Sequence, residues 1–199
     1  MTQAIEQLLA RDATLCAAMA DEIEDYLKSS TLFWEPDRHR PGGAELPKLT
    51  IGGSLLAMRR LETLHGRLDA EQERALARAR EALAHQKQEW GVRYQAKLAR
   101  ELRSRLDAWA WYLDDVKQQG EPAIAHYPRQ VETRVKIDLL LGEAAEVGLE
   151  GEESRERLVD LDERLGARFS VGEFCWIEEL APGFPPERFW YLYGQPRTE

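Results

Sequence analysis

The sequence predicts an all-α fold, an elongated helical bundle of about five helices closed by an aromatic, mostly non-helical C-terminal segment. Three observations predict it. Apolar residues recur at steps of three, four and seven through most of the first 166 positions. Residues 69–119 contain no proline and a single glycine, Gly91. Eight of the 17 aromatic residues crowd into the last stretch, with Pro182, Pro185, Pro186 and Pro196 among them. The domain organisation follows: a bundle over 1–166, carrying a loop at 29–50, and a clasp over 167–199 that packs on it.

The first helix is read over 3–28, where Ile5, Leu8, Leu9, Leu15, Cys16, Met19, Ile23, Tyr26 and Leu27 make one stripe. Such spacing lines a single face of a 3.6-residue period. Asp12 interrupts the stripe by one position. Residues 29–50 read as irregular, because Pro36, Pro41, Gly42, Gly43 and Pro47 punctuate them. Leu32, Phe33 and Trp34 are expected to tack the start of this loop to the core. A short helix follows over 53–65, with Leu55, Met58, Leu61 and Leu64 on one face and Gly66 as a left-handed C-terminal residue.

Asp69 then caps a helix read without interruption over 69–119, with Gln72 in capping-box position. Straight, it would span roughly 75 Å, against about 40 Å for the diameter of a compact chain of this length. Leu76, Leu83 and Trp90 are seven apart, and Tyr94, Leu98, Leu102 and Leu106 are four apart. Each step of four advances about 40° around the helix, so the two halves face different neighbours. Gly91 stands at the changeover. A further helix runs over 128–145, with Pro128 at its first position and Val131, Val135 and Leu139 as its seam. Ile137, Leu140 and Leu141 widen that seam. The last helix spans 152–165, shows Leu158, Leu161 and Leu165, and ends at Gly166. In the tail, periodicity does not decide between short strands at 174–177 and 189–193 and two helical turns over 186–193.

The net charge of −9 lacks the basic footprint of a general nucleic-acid binder and disfavours anionic membranes. No apolar run approaches the ~20 residues a bilayer requires, and the N-terminus does not read as a secretory signal. Cys16 and Cys175 sit among apolar residues, which fits buried thiols in a reducing cytoplasm; a disulfide between them is the lesser reading.

Few residues form a chemical constellation. Glu62 and His65 have an E-x-x-H spacing, but a di-iron bundle needs two such pairs and two more carboxylates. No metal site and no cofactor are expected. His39 lies beside Arg38 and Arg40 in the Pro/Gly loop, where a solvated loop outweighs a small anion site. No catalytic residue is nominated, since no nucleophile elbow, phosphate loop or zinc-helix motif occurs.

Two sets of residues are candidates for binding a partner. Arg93, Lys97 and Arg100 lie at i, i+4 and i+7, with Arg103 and Arg105 near them and only Glu101 opposing. They read either as a docking face or as counter-charges for the acidic stretches 21–25 and 143–156, the second being favoured. Trp190, Tyr191 and Tyr193, with Arg188 and Arg197 beside them, read as the cap of the bundle end or as an aromatic surface for a partner. The functional expectation is a cytoplasmic interaction or scaffolding protein acting through helix surfaces, on a protein partner or as a homodimer. The alternative is a ligand-binding or enzymatic bundle, with its pocket near Trp90 and Tyr94 or beneath the C-terminal aromatics.

Overall fold

The structure is a computed structural model that describes residues 2–37 and 46–198. His39, with the anion-site reading attached to it, lies outside the described residues. The chain is mostly helical. It divides into two compact units, Met1–Glu101 and Leu102–Glu199.

The first unit is built on α1 (Thr2–Lys28). Its stripe buries Ile5, Leu9, Leu15, Cys16, Met19, Ile23, Tyr26 and Leu27. That face packs against α2 (Ile51–Thr63) and α3 (Ala70–Glu89). Asp12, which breaks the apolar pattern, is nevertheless buried in the stripe. Arg11 Nε donates to it at 2.8 Å, and Arg60 Nη1 of α2 stands 3.9 Å away. Buried carboxylates need such cationic company.

Local chemistry sets the helix starts. Thr50 Oγ1 accepts from Gly53 N at 3.0 Å and caps α2. Asp69 Oδ1 accepts from Glu71 N and Gln72 N, while Gln72 Oε1 accepts from Asp69 N at 3.1 Å, completing the predicted capping box. Gly66 departs from expectation. It has no positive φ, and the chain leaves α2 through a 3₁₀ turn, His65–Arg67. The loop start is held by Trp34, whose Nε1 donates to Glu22 at 2.7 Å and whose backbone pairs with Leu49. Phe33 is exposed.

The helix expected over 69–119 is present as two helices, α3 and α4 (Gly91–Gln119), joined through Trp90 alone. Trp90 sits at φ −118°, ψ 32°, although its N–H still donates to Gln86 O and its carbonyl still accepts from Tyr94 N. The physical reason is tertiary. Lys28 Nζ lies 5.0 Å from the Trp90 ring, holding the indole at the end of α1. Gly91 beside it weakens the helix where the stripe also changes step.

The second unit contains α4 from Leu102 onward, α5 (Glu121–Ile124), α6 (Tyr127–Glu146) and α7 (Glu152–Gly166). Its core holds Leu106, Trp109 and Leu113 of α4, Val131, Val135 and Ile137 of α6, and Leu158, Leu161 and Leu165 of α7. Leu139 is only half-buried, and Arg134 and Glu143 take buried places on α6 instead. The tail forms β1 (Phe169–Phe174), α8 (Pro186–Phe189), a 3₁₀ turn over Trp190–Leu192 and β2 (Tyr193–Pro196). The strands are antiparallel, with Phe169 opposite Pro196 and a bulge between Val171 and Phe174. Segment 186–192 is thus helical, and the first strand lies at 169–174, not 174–177. Gly194, at φ +145°, lets the strands close: a Cβ there would stand 2.1 Å from Ser170 O.

Candidate functional site

The basic patch of the first unit is turned onto its own chain. Arg93 Nη1 donates to Lys28 O at 3.3 Å, and Arg100 Nη1 donates to Ser30 O at 3.1 Å. Lys97 donates to Thr31 O and to Ser29 Oγ, and its ammonium lies 4.3 Å from the Tyr26 ring. The last carbonyls of a helix have no partner within it and carry partial negative charge. Arg93 therefore closes the C-terminus of α1, while Lys97 and Arg100 hold the segment that follows it. Their hydrogen-bond partners are carbonyls at 28–31 and the Ser29 hydroxyl, not the carboxylates of 21–25 or 143–156. Burial, and then the neighbouring Arg100, lower the Lys97 pKa to about 8. Glu101, the acid opposing the patch, is fully buried and accepts from Gly52 N at 3.0 Å, at the N-terminus of α2.

Of the tail aromatics, Phe184, Phe189 and Tyr191 are buried and the others are half-buried. Tyr191 is fully buried; its hydroxyl donates to Asp138, and its carbonyl accepts from Tyr127 OH at 2.6 Å. The Arg134 guanidinium stands 4.4 Å from the Tyr191 ring. It donates through Nε and Nη2 to Asp162, at 2.8 and 2.7 Å, and Nη1 lies 3.0 Å from Asp138. Burial pushes the Tyr191 and Tyr127 hydroxyls well above the usual range. Tyr193 is half-buried and donates to Phe184 O at 2.9 Å; its pKa rises through burial, then through Glu187 and Glu178. Trp190 is half-buried against Phe169, edge to face at 5.1 Å. Arg188 is bound to Asp138 O, and Arg197 N bonds Arg168 O. These groups hold the second unit together.

Neither candidate set leaves a large apolar side chain in water, but Trp111 does. It is 73% exposed on α4 and makes no hydrogen bond, ring pair or cation contact among the described residues. Asp107, Asp114 and Asp115 stand at i−4, i+3 and i+4 from it and share its face. Asp107 pairs with Arg157 at 2.7 Å, and Asp114 pairs with Arg164. Both partners lie on α7 and rise in number together, so α7 runs alongside α4 in the same direction. Among the described residues, Asp115 accepts only from Gln119, at 3.3 Å. Sequence reasoning followed the stripe Leu106, Trp109, Leu113 and Val116 and passed over Trp111. The signal was available: two positions from Trp109 is about 200° around the helix, a place where a buried tryptophan has no reason to be.

A recess of about 230 Å³ opens elsewhere in the same unit. Leu113, Val116 and Leu165 floor it, and Lys117, Arg164 and Arg168 stand at its rim. Metabolite sites run roughly 300–1,000 Å³, so the recess has the scale of one large side chain. In the first unit, a groove of about 580 Å³ lies between Ala10, Ala13 and Ala17 of α1 and Gln72, Arg74 and Arg78 of α3. Among the described residues, no group of three His, Cys, Asp or Glu side chains is placed to hold a metal, and no helix is long and apolar enough to cross a membrane. Glu62 is bound to Arg80, and His65 lies beyond the end of α2. Both cysteines are free thiols.

Comparison with protein-family models, with curated proteins and with solved structures finds no match to this chain.

Proposed function

We propose that this protein is an interaction module that binds another protein through the outer face of α4 centred on Trp111. The single observation that carries the reading is the 73% exposure of that indole on a helix whose other aromatic side chains, Tyr94, Trp109 and Tyr112, are buried. Leaving a tryptophan in water contributes nothing to the fold. In an interface, tryptophan is among the residues that dominate binding energy, and a charged rim adds specificity and speed of encounter. The surrounding aspartates suit a partner with basic residues around an apolar cleft. The free thiols suit a reducing compartment such as the cytoplasm. The engagement of Arg93 with the end of α1, and of Lys97 and Arg100 with the segment after it, speaks against nucleic acid as the partner.

The alternative, a ligand-binding or enzymatic bundle, places its pocket near Trp90 and Tyr94 or beneath the tail. Tyr94 and Tyr191 are fully buried by their own neighbours, which favours the surface reading.

The test compares proteins retained from a cell extract by immobilised wild type, by Trp111→Ala and by Val159→Asp. Val159 is a second exposed apolar residue, on α7. Retention that is lost with Trp111→Ala and kept with Val159→Asp is the expected result. Identical retention by wild type and Trp111→Ala overturns the proposal.

A further inference from the structure

We infer that the second unit holds a site for a small phosphate monoester with an apolar body. Lys117, Arg168 and Arg197 take its phosphate, and the recess over Leu113, Val116 and Leu165 takes its body. The site is separate from the Trp111 face and does not depend on it.

The chain gathers these cations at a cost to its own ribbon. β1 and β2 pair with Phe169 opposite Pro196, so one step outward Arg168 stands opposite Arg197. The bond from Arg197 N to Arg168 O, 2.7 Å long, carries the ladder to that pair. Directly opposite side chains share a face, about 5 Å apart at Cβ, and like charges there destabilise. Both arginines line one recess of about 490 Å³ with Ala167 and Thr198. The recess of about 230 Å³ adjoins it, for Ala167 and Arg168 line both, and it adds Lys117 and Arg164. Among the described residues, neither lining contains Asp or Glu, although the chain carries a net charge of −9.

The fold accounts for some of these cations. Lys117 and Arg164 lie in the last turns of α4 and α7, where a cation offsets the helix dipole, and Arg164 is bound to Asp114. That does not account for setting Arg168 opposite Arg197. The side chains of Lys117 and Arg197 are exposed and make no hydrogen bond or ion pair among the described residues. A bound anion turns the repulsion into attraction. The two helix ends oppose it with about half a charge each, against three cations that Asp114 does not neutralise.

The arrangement selects the ligand. Arginine forks match the oxygens of a phosphate, and hydrogen bonds between ions are roughly twice as strong as neutral ones. A phosphate monoester carries close to two charges at neutral pH, which suits several unpaired cations better than a carboxylate does. The apolar floor accepts a ring or a short chain, and the two recesses together reach the scale of a metabolite site.

Isothermal titration with phenyl phosphate tests the site, with far-UV circular dichroism to establish that each variant is folded. Wild type should bind phenyl phosphate more tightly than inorganic phosphate, and should not bind phenol. Arg197→Ala and Lys117→Ala should each weaken binding at least about tenfold, as loss of one charge-assisted bond does. Ala167→Phe, at an exposed residue common to both linings, should block it. Arg157→Ala removes a cation of α7 that lines neither recess, and should leave binding unchanged. Without ligand, Arg197→Ala should keep or raise the melting temperature, because it relieves the repulsion in the ladder.

No saturable binding of phenyl phosphate at millimolar concentration overturns the inference. So does binding that Arg197→Ala and Ala167→Phe leave undiminished. Inorganic phosphate that binds as tightly as phenyl phosphate overturns the apolar body, and a lowered melting temperature of Arg197→Ala overturns the claim that folding leaves this guanidinium over. Phosphotyrosine carries the same group. A phosphotyrosyl peptide that binds more tightly than phenyl phosphate overturns the small molecule as its source.

Discussion

Single side chains in this protein are set by contacts far away in sequence. Arg134 shows it best. Its guanidinium is 4% exposed and is shared between Asp138, one turn on, and Asp162, on another helix. Removing it strands two carboxylates that keep some contact with water. Arg134→Ala should cost about 3 kcal/mol, the low end for breaking a buried pair, measured as loss of unfolding free energy in urea. Cys16 gives a pH dependence. Burial pushes its thiol up, and Asp12 and Glu62 push it further, against a smaller pull from Arg80. A folded pKa above the unfolded value means stability that is full below the unfolded pKa, near 9, and lost as pH rises beyond it. The stability of wild type relative to Cys16→Ala should be constant from pH 6 to 8 and should fall between about pH 9 and 11. A thiol reagent should reach Cys16 only on unfolding, because it needs the thiolate and a path to it. The burial of Cys16 is legible in its place on the apolar stripe, but that of Arg134 is not. Asp138 is one turn away, but Asp162, the partner of Arg134 on α7, is 28 residues on.

At the scale of elements, what sequence reveals depends on how local the cause is. The capping box at Asp69 and Gln72 is visible because its partners are three residues apart. The buried faces of α1 and α7 are visible because their apolar spacing is regular. The break at Trp90 is not, because the ammonium that holds it comes from Lys28. The pairing of β1 with β2 joins residues as distant as Phe169 and Pro196, and the bulge between them hides the alternation. The candidate site divides the same way. Arg93, Lys97 and Arg100 are legible as a cationic row but not as the hold on residues 28–31, for most of their acceptors are carbonyls that no residue type advertises. Two glycines separate conformational need from composition. Gly194→Ala meets Ser170 O and a positive φ, and should destabilise by at least about 1–3 kcal/mol with loss of the β1–β2 ribbon. Gly66→Ala meets nothing within 4 Å and no positive φ; it should be neutral or stabilise by about 0.4–1 kcal/mol. Chemical denaturation of the two variants side by side checks both signs.

For the whole molecule, two compact units account for nearly all the large apolar side chains. Tyr26, Met19 and Ile23 anchor one core; Trp109, Tyr127, Tyr191 and Phe189 anchor the other. The cations and aromatics that the sequence offers as docking groups are used in building those units. The proposed function draws on what construction leaves over, chiefly Trp111. That claim has a direct measurement: the unfolding free energies of Trp111→Ala and Trp109→Ala, taken at a protein concentration low enough to keep the chain monomeric. Trp109 is fully buried two positions away on the same helix. Its replacement should cost about 3–5 kcal/mol, whereas that of Trp111 should stay within about 0.5 kcal/mol of wild type. A loss of several kcal/mol from Trp111→Ala would mean that the indole supports the fold, and would contradict the account.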